Sequence, residues 1–387
     1  MQNILEQAEA MKEELVSIYR DRHMYPELSF KEFGTMDFIE KYLMELGLKV
    51  KRGTEGAGLT AVLKGGKPGK TVGIRADIDA LPVGEETGLE HGSRYEGVMH
   101  ACGHDSHITM LLGAAKLLCL NKENVRGKVK FMFQQAEEMV AGAARMISDG
   151  ALDDIDEIIG LHVVPTLDAG SIETKSGSAL ASNDMFEIKV FGRGGHGSAP
   201  HTCTDPIIAV ANIISAIQTI SNKKIQALDP VVINICCVSA GTRYNIVPDE
   251  GYMSGTIRTQ DKNVRQKVIE QLNEIADGVC KTFGTTYEFI NPIAVPPTTN
   301  DEAITKKLIA RTRDILPDNK IRMMDKPHMF SEDFACFGEI VPACMFFLGT
   351  YNKEKGCIHP LHSSHYQIDE DILPIGAAIF ANYCMVE

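Results

Sequence analysis

Thr71-Val72-Gly73-Ile74-Arg75-Ala76-Asp77-Ile78-Asp79 is a short apolar run that ends in two carboxylates. The pattern returns twice: Val129 to Phe133 leads into Glu137 and Glu138, and Ile158 to Leu161 leads into His162. Short, nearly continuous apolar runs separated by helical stretches are the mark of strands buried on both faces of a parallel sheet. From Thr60 to Val164 such runs fall at residues 60–63, 71–76, 129–133 and 157–163, with helical periodicity over 106–120 and 141–149. This rhythm predicts the α/β class, with a mainly parallel mixed sheet and helices on both faces.

Farther along, the pattern changes. Strand-like runs at 184–191, 231–239, 251–259 and 286–290 alternate with helical ones at 206–220 and 264–283. The order β-α-β-β-α-β is the plan of a ferredoxin-like α+β domain. A helix over 301–315, a strand near 343–348 and a closing helix over 373–383 then resume the first pattern. The expected organisation is therefore a first domain in two parts, residues 1–178 and 294–387, interrupted by an inserted domain at 179–293. A chain of 387 residues with 44% apolar composition can fill two such cores.

Composition narrows the function. With 39 basic and 52 acidic residues the net charge is −13, which opposes approach to nucleic acid or an anionic membrane. No apolar run is long enough to span a bilayer. Residues 1–20 mix Glu and Lys with helically spaced apolar positions and lack the features of a secretion signal, so the chain reads as cytoplasmic. The ten cysteines have no paired spacing and are expected to be reduced.

Open α/β sheets bind ligands beyond the carboxyl ends of their strands, so the groups that end the three runs should converge. Between the first two runs lies His100-Ala101-Cys102-Gly103-His104-Asp105, directly before a long helix whose N-terminus favours a thiolate. Thiolate, imidazole and carboxylate together suit a divalent transition ion; the sulfur favours zinc, with manganese, cobalt and nickel open. Taken singly, each residue has a bland reading as a satisfied core histidine or a solvated acid. Near the C-terminus His359, His362 and His365 compete for one more ligand position, and spacing does not choose among them. In the insert, Gly192 to His201 is a Gly-rich loop with two histidines. It lacks the Lys-Ser/Thr of a phosphate cradle, and presenting His196 to a substrate is the better reading.

These stretches together resemble the M20 family of metallo-amidohydrolases and peptidases, in the branch of hippurate hydrolase, auxin-conjugate hydrolases and N-acetyl-amino-acid deacetylases. The resemblance runs over nearly the whole chain. It rests on His23-Met24-Tyr25-Pro26-Glu27-Leu28, Arg75 to Pro82, Cys102-Gly103-His104-Asp105-Ser106-His107, Gln134 to Glu138 and Leu161-His162. The loop from Gly195 to His201, Asn245 to Asp249, Ser331-Glu332-Asp333-Phe334 and Leu361-His362 follow in order. Met329-Phe330 and Ser363 to Tyr366 depart from the family's usual residues.

The resemblance implies that Cys102 bridges two divalent metal ions, with His104, Glu138, His162 and His362 completing the ligand set. It implies Glu137 as the general base and Asp77 as the group orienting a ligand. Side chains adjacent at a strand end point opposite ways, which would give Glu137 and Glu138 different jobs. His196 would bind the oxyanion, in its own or a partner's site, and Asn245 and Arg258 would hold the substrate carboxylate. A homodimer through the inserted lid domain is implied as well. The expected activity is hydrolysis of a small N-acyl amino acid, N-acetyl or N-aroyl; the alternative is a dipeptidase or carboxypeptidase.

Overall fold

The computed structural model describes residues 3–54 and 56–385; residues 1 and 2 of the expected N-terminal helix lie outside them. The chain folds as two compact units. The first comprises the residues up to Ala179, Thr299–Asp325 and those from Asp333 on; the second comprises Leu180–Thr298 and Lys326–Glu332. The short segment Lys326–Glu332 thus packs with the insert, whereas reading by pattern assigns it to the flanking part.

The first unit is built on an eight-stranded sheet in the order Lys49–Arg52, Leu59–Lys64, Arg126–Gln134, Lys67–Asp77, Glu157–Asp168, Ala343–Tyr351, Ile172–Thr174, Ile321–Met323. Its four middle strands, from Arg126–Gln134 to Ala343–Tyr351, run parallel. Antiparallel pairs flank them. Strand Lys67–Asp77 is exposed at its start and wholly buried from Thr71 to Asp77, so its apolar residues pack between layers while its polar end emerges at one edge. Helix His104–Leu120 is buried along nearly its whole length and packs against the sheet and the closing helix Leu373–Cys384. It starts two residues earlier than its apolar periodicity suggests, which places His104 in the first turn.

The second unit has one four-stranded antiparallel sheet in the order Val231–Ala240, Glu250–Thr259, Asn183–Phe191, Thr286–Val295. Numbered along the insert this is 2-3-1-4, the strand order of a ferredoxin-like fold. Helices Pro206–Ile217 and Lys262–Phe283 cover it through a core that includes Phe186, Ile188, Ile213, Val268 and Leu272. Asp261 caps the longer helix by accepting from the backbone N–H of Asn263 and Val264, and Gly284, at φ 70°, ends it. Among the described residues no helix is long and apolar enough to cross a membrane.

Candidate active site

Asp77 and Gln134 are the last residues of adjacent parallel strands and pair in register. Beyond Gln134 the chain does not continue as a strand. Ala136 (φ 53°) and Val140 (φ 55°) are left-handed, so Glu137 and Glu138 sit in a tight turn. Strand alternation, expected to point their side chains opposite ways, therefore does not apply, and one oxygen of each lies within 4.8 Å of the other. Non-glycine residues hold such a conformation only when their surroundings enforce it. Here the buried Glu32 does so, accepting from the Ala136 N–H at 2.9 Å and the Gln135 amide at 2.6 Å. Burial pushes the Glu32 carboxyl up to about 7.

His162 lies inside strand Glu157–Asp168, paired with Phe347. His104 follows Gly103, whose φ of 83° and whose contact with Val163 leave no room for a side chain: a Cβ there would meet Val163 Cγ2 at 2.5 Å. His362 is itself left-handed at φ 65°, and its N–H donates to Ala101 O at 2.8 Å, tying the C-terminal loop to the turn that carries Cys102.

These devices bring five side chains together. Cys102 Sγ lies 3.5 Å from His162 Nε2. Glu138 Oε1 lies 3.5 Å from His362 Nε2 and 4.0 Å from His104 Nε2. Ligand atoms of Cys102, His104 and His162, of Cys102, Glu138 and His362, and of His104, Glu137 and Glu138 lie within 4.8 Å of one another in each group. Two ligands on one tetrahedral zinc stand roughly 3.3–3.8 Å apart, given bonds of about 2.0–2.3 Å. Of the three competing histidines, His362 reaches the cluster; His365 instead faces Glu86, and the His359 ring lies tilted against that of His365.

The donor set fits a pair of divalent cations. His104 Nδ1 faces Asp79 O at 2.9 Å and Asp79 Oδ1 at 3.2 Å, and His162 Nδ1 faces Val163 O at 2.7 Å. A ring N–H donates in each case, which turns the Nε2 lone pair inward. His104 Nε2 and Glu138 Oε1 are buried with no hydrogen-bond partner. Burial and the nearby Glu138 drive the Cys102 thiol well above its usual range. Burial opposes charge on His104, yet Asp77 and Cys102 outweigh it and push its pKa well up. The site therefore calls for positive charge among these lone pairs, and a metal ion supplies it while keeping the sulfur as thiolate.

Residues 73–385 match the profile of Peptidase family M20/M25/M40. The chain belongs to the M20 peptidase family. Thermostable carboxypeptidase 1 of Saccharolobus solfataricus is 42% identical over 375 residues, covering 95% of this chain and 93% of that protein. N-acetyl-L-cysteine deacetylase of Bacillus subtilis is 37% identical over 378 residues, covering 97% of this chain and 88% of that one. The crystal structure of the Bacillus subtilis YXEP protein, described as a dinuclear metal-binding peptidase of the M20 family, superposes with a TM-score of 0.84 at 32% identity, covering 97% of this chain and 98% of that one. This M20 chain is a hydrolase of amide bonds.

Around the M20 cluster runs a second layer of buried polar groups. Asp79, in addition to meeting His104, accepts from Ser29 Oγ at 2.7 Å and from the Glu138 N–H at 3.0 Å. Asp77 accepts from Arg75 at 2.6 Å and pairs with His107 Nδ1 at 2.5 Å; its Oδ2 stands 3.7 Å from His104 Nε2. The outer nitrogen of His104 is thus held by Asp79, which the sequence places among the converging groups, whereas the resemblance gives the orienting part to Asp77. His107 Nε2 accepts the Val163 N–H at 3.0 Å, which removes it from the ligands. Arg75 also reaches Gln134 at 2.8 Å and Asp333 at 3.0 Å, and the Asp333 N–H points at Glu137 Oε1 from 3.3 Å. The early motif has a supporting part. His23 Nδ1 meets Asp105 at 2.6 Å, and Glu27 accepts from Gly34 and Thr35 at the start of helix Phe33–Glu45. Glu32 carries no motif and escapes sequence reasoning.

The inserted unit holds the other three residues singled out. His196 and Ile246 pair in a short two-stranded ladder, and the Gly197 N–H donates to Asn245 O at 2.9 Å, so His196 and Asn245 are neighbours. The His196 ring is exposed. Its Nδ1 accepts from the Ser198 N–H at 3.1 Å, which leaves the ring proton on Nε2. Arg258 is half-buried and donates to Ser331 Oγ at 2.9 Å. It stands elsewhere. His196 and Asn245 lie beyond the Phe191–Glu250 end of the sheet, and Arg258 lies eight residues along from Glu250 in strand Glu250–Thr259. At about 3.3 Å per residue the separation is roughly 26 Å or more.

Proposed function

We propose that this protein hydrolyses the amide bond of N-acyl amino acids at a centre of two divalent metal ions held by Cys102, His104, Glu138, His162 and His362. The observation that carries the reading is the convergence of their inward lone pairs beside Glu137, with the Nε2 of His104 and Oε1 of Glu138 buried and without a hydrogen bond. The thiolate favours zinc, with manganese, cobalt and nickel as alternatives. All ten cysteines are free, which fits a cytoplasmic setting that keeps Cys102 reduced.

Bound metals supply a Lewis acid for the amide carbonyl and lower the pKa of water toward neutrality. Glu137, oriented by the Asp333 N–H, takes the proton from the attacking water and delivers it to the departing nitrogen, a shuttle worth about 10²–10⁴ in rate. His196, with its proton on Nε2, donates to the oxyanion of the tetrahedral intermediate. Asn245 and Arg258 hold the substrate carboxylate. Within one subunit they are too far apart to share it, so a shared carboxylate needs one residue from each subunit of a homodimer formed through the inserted domain. Asp77 and Asp79 orient the ligands.

Glu137→Gln is the decisive variant. It should keep its metals and its fold and lose nearly all turnover; ordinary turnover in the metal-loaded variant would remove Glu137 as the base. The relative named as a carboxypeptidase supports a second reading, cleavage of a C-terminal residue from short peptides by the same apparatus. Rates on N-acetyl and N-benzoyl amino acids beside dipeptides separate the two, and a strong dipeptide preference would favour the second.

A further inference from the structure

At the opposite end of the parallel strands the first unit has a cavity of about 550 Å³ whose lining includes Lys70, Arg126, Lys307, Arg311, Glu157 and Tyr383. Lys70 lies seven residues before Asp77 in the same strand, and Arg126 lies eight before Gln134. At about 3.3 Å per residue these spans put the cavity roughly 23–26 Å from the metal cluster.

Among the described residues, four cations in a chain of net charge −13 line this space, against one carboxylate. That carboxylate organises them. Glu157 is buried and holds Lys307 at 2.5 Å and Lys70 at 3.3 Å, and it accepts from Tyr383 at 2.9 Å. Lys307 also lies over the Tyr383 ring, 3.9 Å from its centroid. Arg311 is fixed by the Asn382 carbonyl at 3.0 and 3.1 Å. Arg126 differs: among the described residues no ion pair or side-chain hydrogen bond engages its guanidinium. Its stem crosses Gly69, where a Cβ would meet Arg126 Cγ at 2.2 Å, so the glycine gives the arginine its path. Glu157 answers Lys70 and Lys307, and Asp314 pairs with Arg311 at 3.2 Å, so among the described residues Arg126 is the lining cation without a counter-charge; a guanidinium fork beside two anchored ammonium groups suits phosphate or paired carboxylate oxygens.

We propose that this cavity binds a small polyanion carrying phosphate or several carboxylates, at a site separate from the hydrolytic centre. Bound there, the ligand joins the amino-terminal strand ends to the closing helix Leu373–Cys384, which packs on the helix that begins with His104. Binding to the folded state alone raises the unfolding temperature.

The test uses the full-length, metal-loaded enzyme at low ionic strength, with glycerol 3-phosphate and tricarballylate as probes and sodium chloride as the ionic-strength control. Calorimetric titration and thermal unfolding report the site without any assay of turnover. Saturable binding by at least one probe, a rise in unfolding temperature that chloride does not reproduce, and a tenfold or greater loss of affinity in Arg126→Glu are the expected results. Gly69→Ala should weaken binding too by displacing the arginine, and neither variant should change basal turnover. Response to glycerol 3-phosphate alone assigns a phosphate, response to tricarballylate alone assigns carboxylates, and response to both assigns the shared chemistry. No saturable binding at 10 mM of either probe (roughly ten-thousandfold above an affinity of about 1 μM) would overturn the proposal. So would binding undiminished in Arg126→Glu, which would locate the anion at the metal centre.

Discussion

Replacing Asp79 with Ala removes one buried carboxylate that serves three donors. Its oxygens accept from the Glu138 N–H at 3.0 Å, the His104 ring N–H at 3.2 Å and Ser29 Oγ at 2.7 Å. The Glu138 N–H would be left without its partner, at about 1–3 kcal/mol. His104 would lose a charge-assisted bond of about 1.5–3 kcal/mol but keep the Asp79 backbone carbonyl at 2.9 Å, so the lower part of that range applies. Ser29 is only partly buried and can turn to water. Relief of the carboxylate's own desolvation offsets part of the loss, and the net effect on folding should be about 2–4 kcal/mol. Both affected groups are on proposed ligands, and loss of such an orienting partner typically weakens metal binding by about ten- to a hundredfold. Urea denaturation of the chelated protein reads the first quantity, and competition with a chromogenic chelator reads the second. Asp79→Asn, which keeps one acceptor, should fall between the two. If Asp79→Ala bound zinc within about twofold of the parent, the claim that Asp79 orients His104 and Glu138 would fail.

Other substitutions test the surroundings. Glu32, raised from 4.5 to about 7 by burial, holds its proton in the folded state where the unfolded chain has released it. Stability should therefore fall as pH rises from about 4.5 to about 7, by up to about 3 kcal/mol, and Glu32→Gln should flatten that slope in the chelated protein. An unchanged slope would assign the decline to other groups. In the inserted unit, Arg265 clasps the fully buried Asp184 with two bonds of 2.7 Å. Arg265→Ala leaves that carboxylate with no cation and only the Asn291 amide at 3.3 Å, and should cost about 3 kcal/mol, measured by urea midpoint. Gly103→Ala meets both a φ of 83° and Val163, so it should destabilise by more than about 1 kcal/mol and lower zinc affinity through displacement of Cys102 and His104. A variant as stable as the parent would show that this turn can yield.

The M20 chain's sheet was legible because the middle stretches of its central strands are buried on both faces and so are mostly apolar. Strands as short as Ile172–Thr174, inside the sheet, and Ile321–Met323, at its edge, have too few residues to leave such a trace. Lys326–Glu332 carries no periodic signal, and packing alone assigns it to the inserted unit. Helix His104–Leu120 announces itself by its apolar positions, but its first turn is polar for the sake of the cluster, which is why its start reads late.

What the sequence by itself determined was the class of chemistry: thiol, imidazole and carboxylate groups stand at the ends of apolar runs, and strands of one parallel sheet deliver their ends to a common edge. Only the tertiary structure decided among residues alike in type. His362 differs from His359 and His365 by a left-handed backbone and one bond to Ala101 O; Asp79 differs from Asp77 by which nitrogen of the His104 ring it faces. The separation of Arg258 from Asn245 likewise follows from strand direction, which neither residue's neighbours in sequence reveal. Such distinctions depend on angles and on distances of an ångström or two. These are set by packing between segments far apart in the chain, and residue spacing carries no record of them.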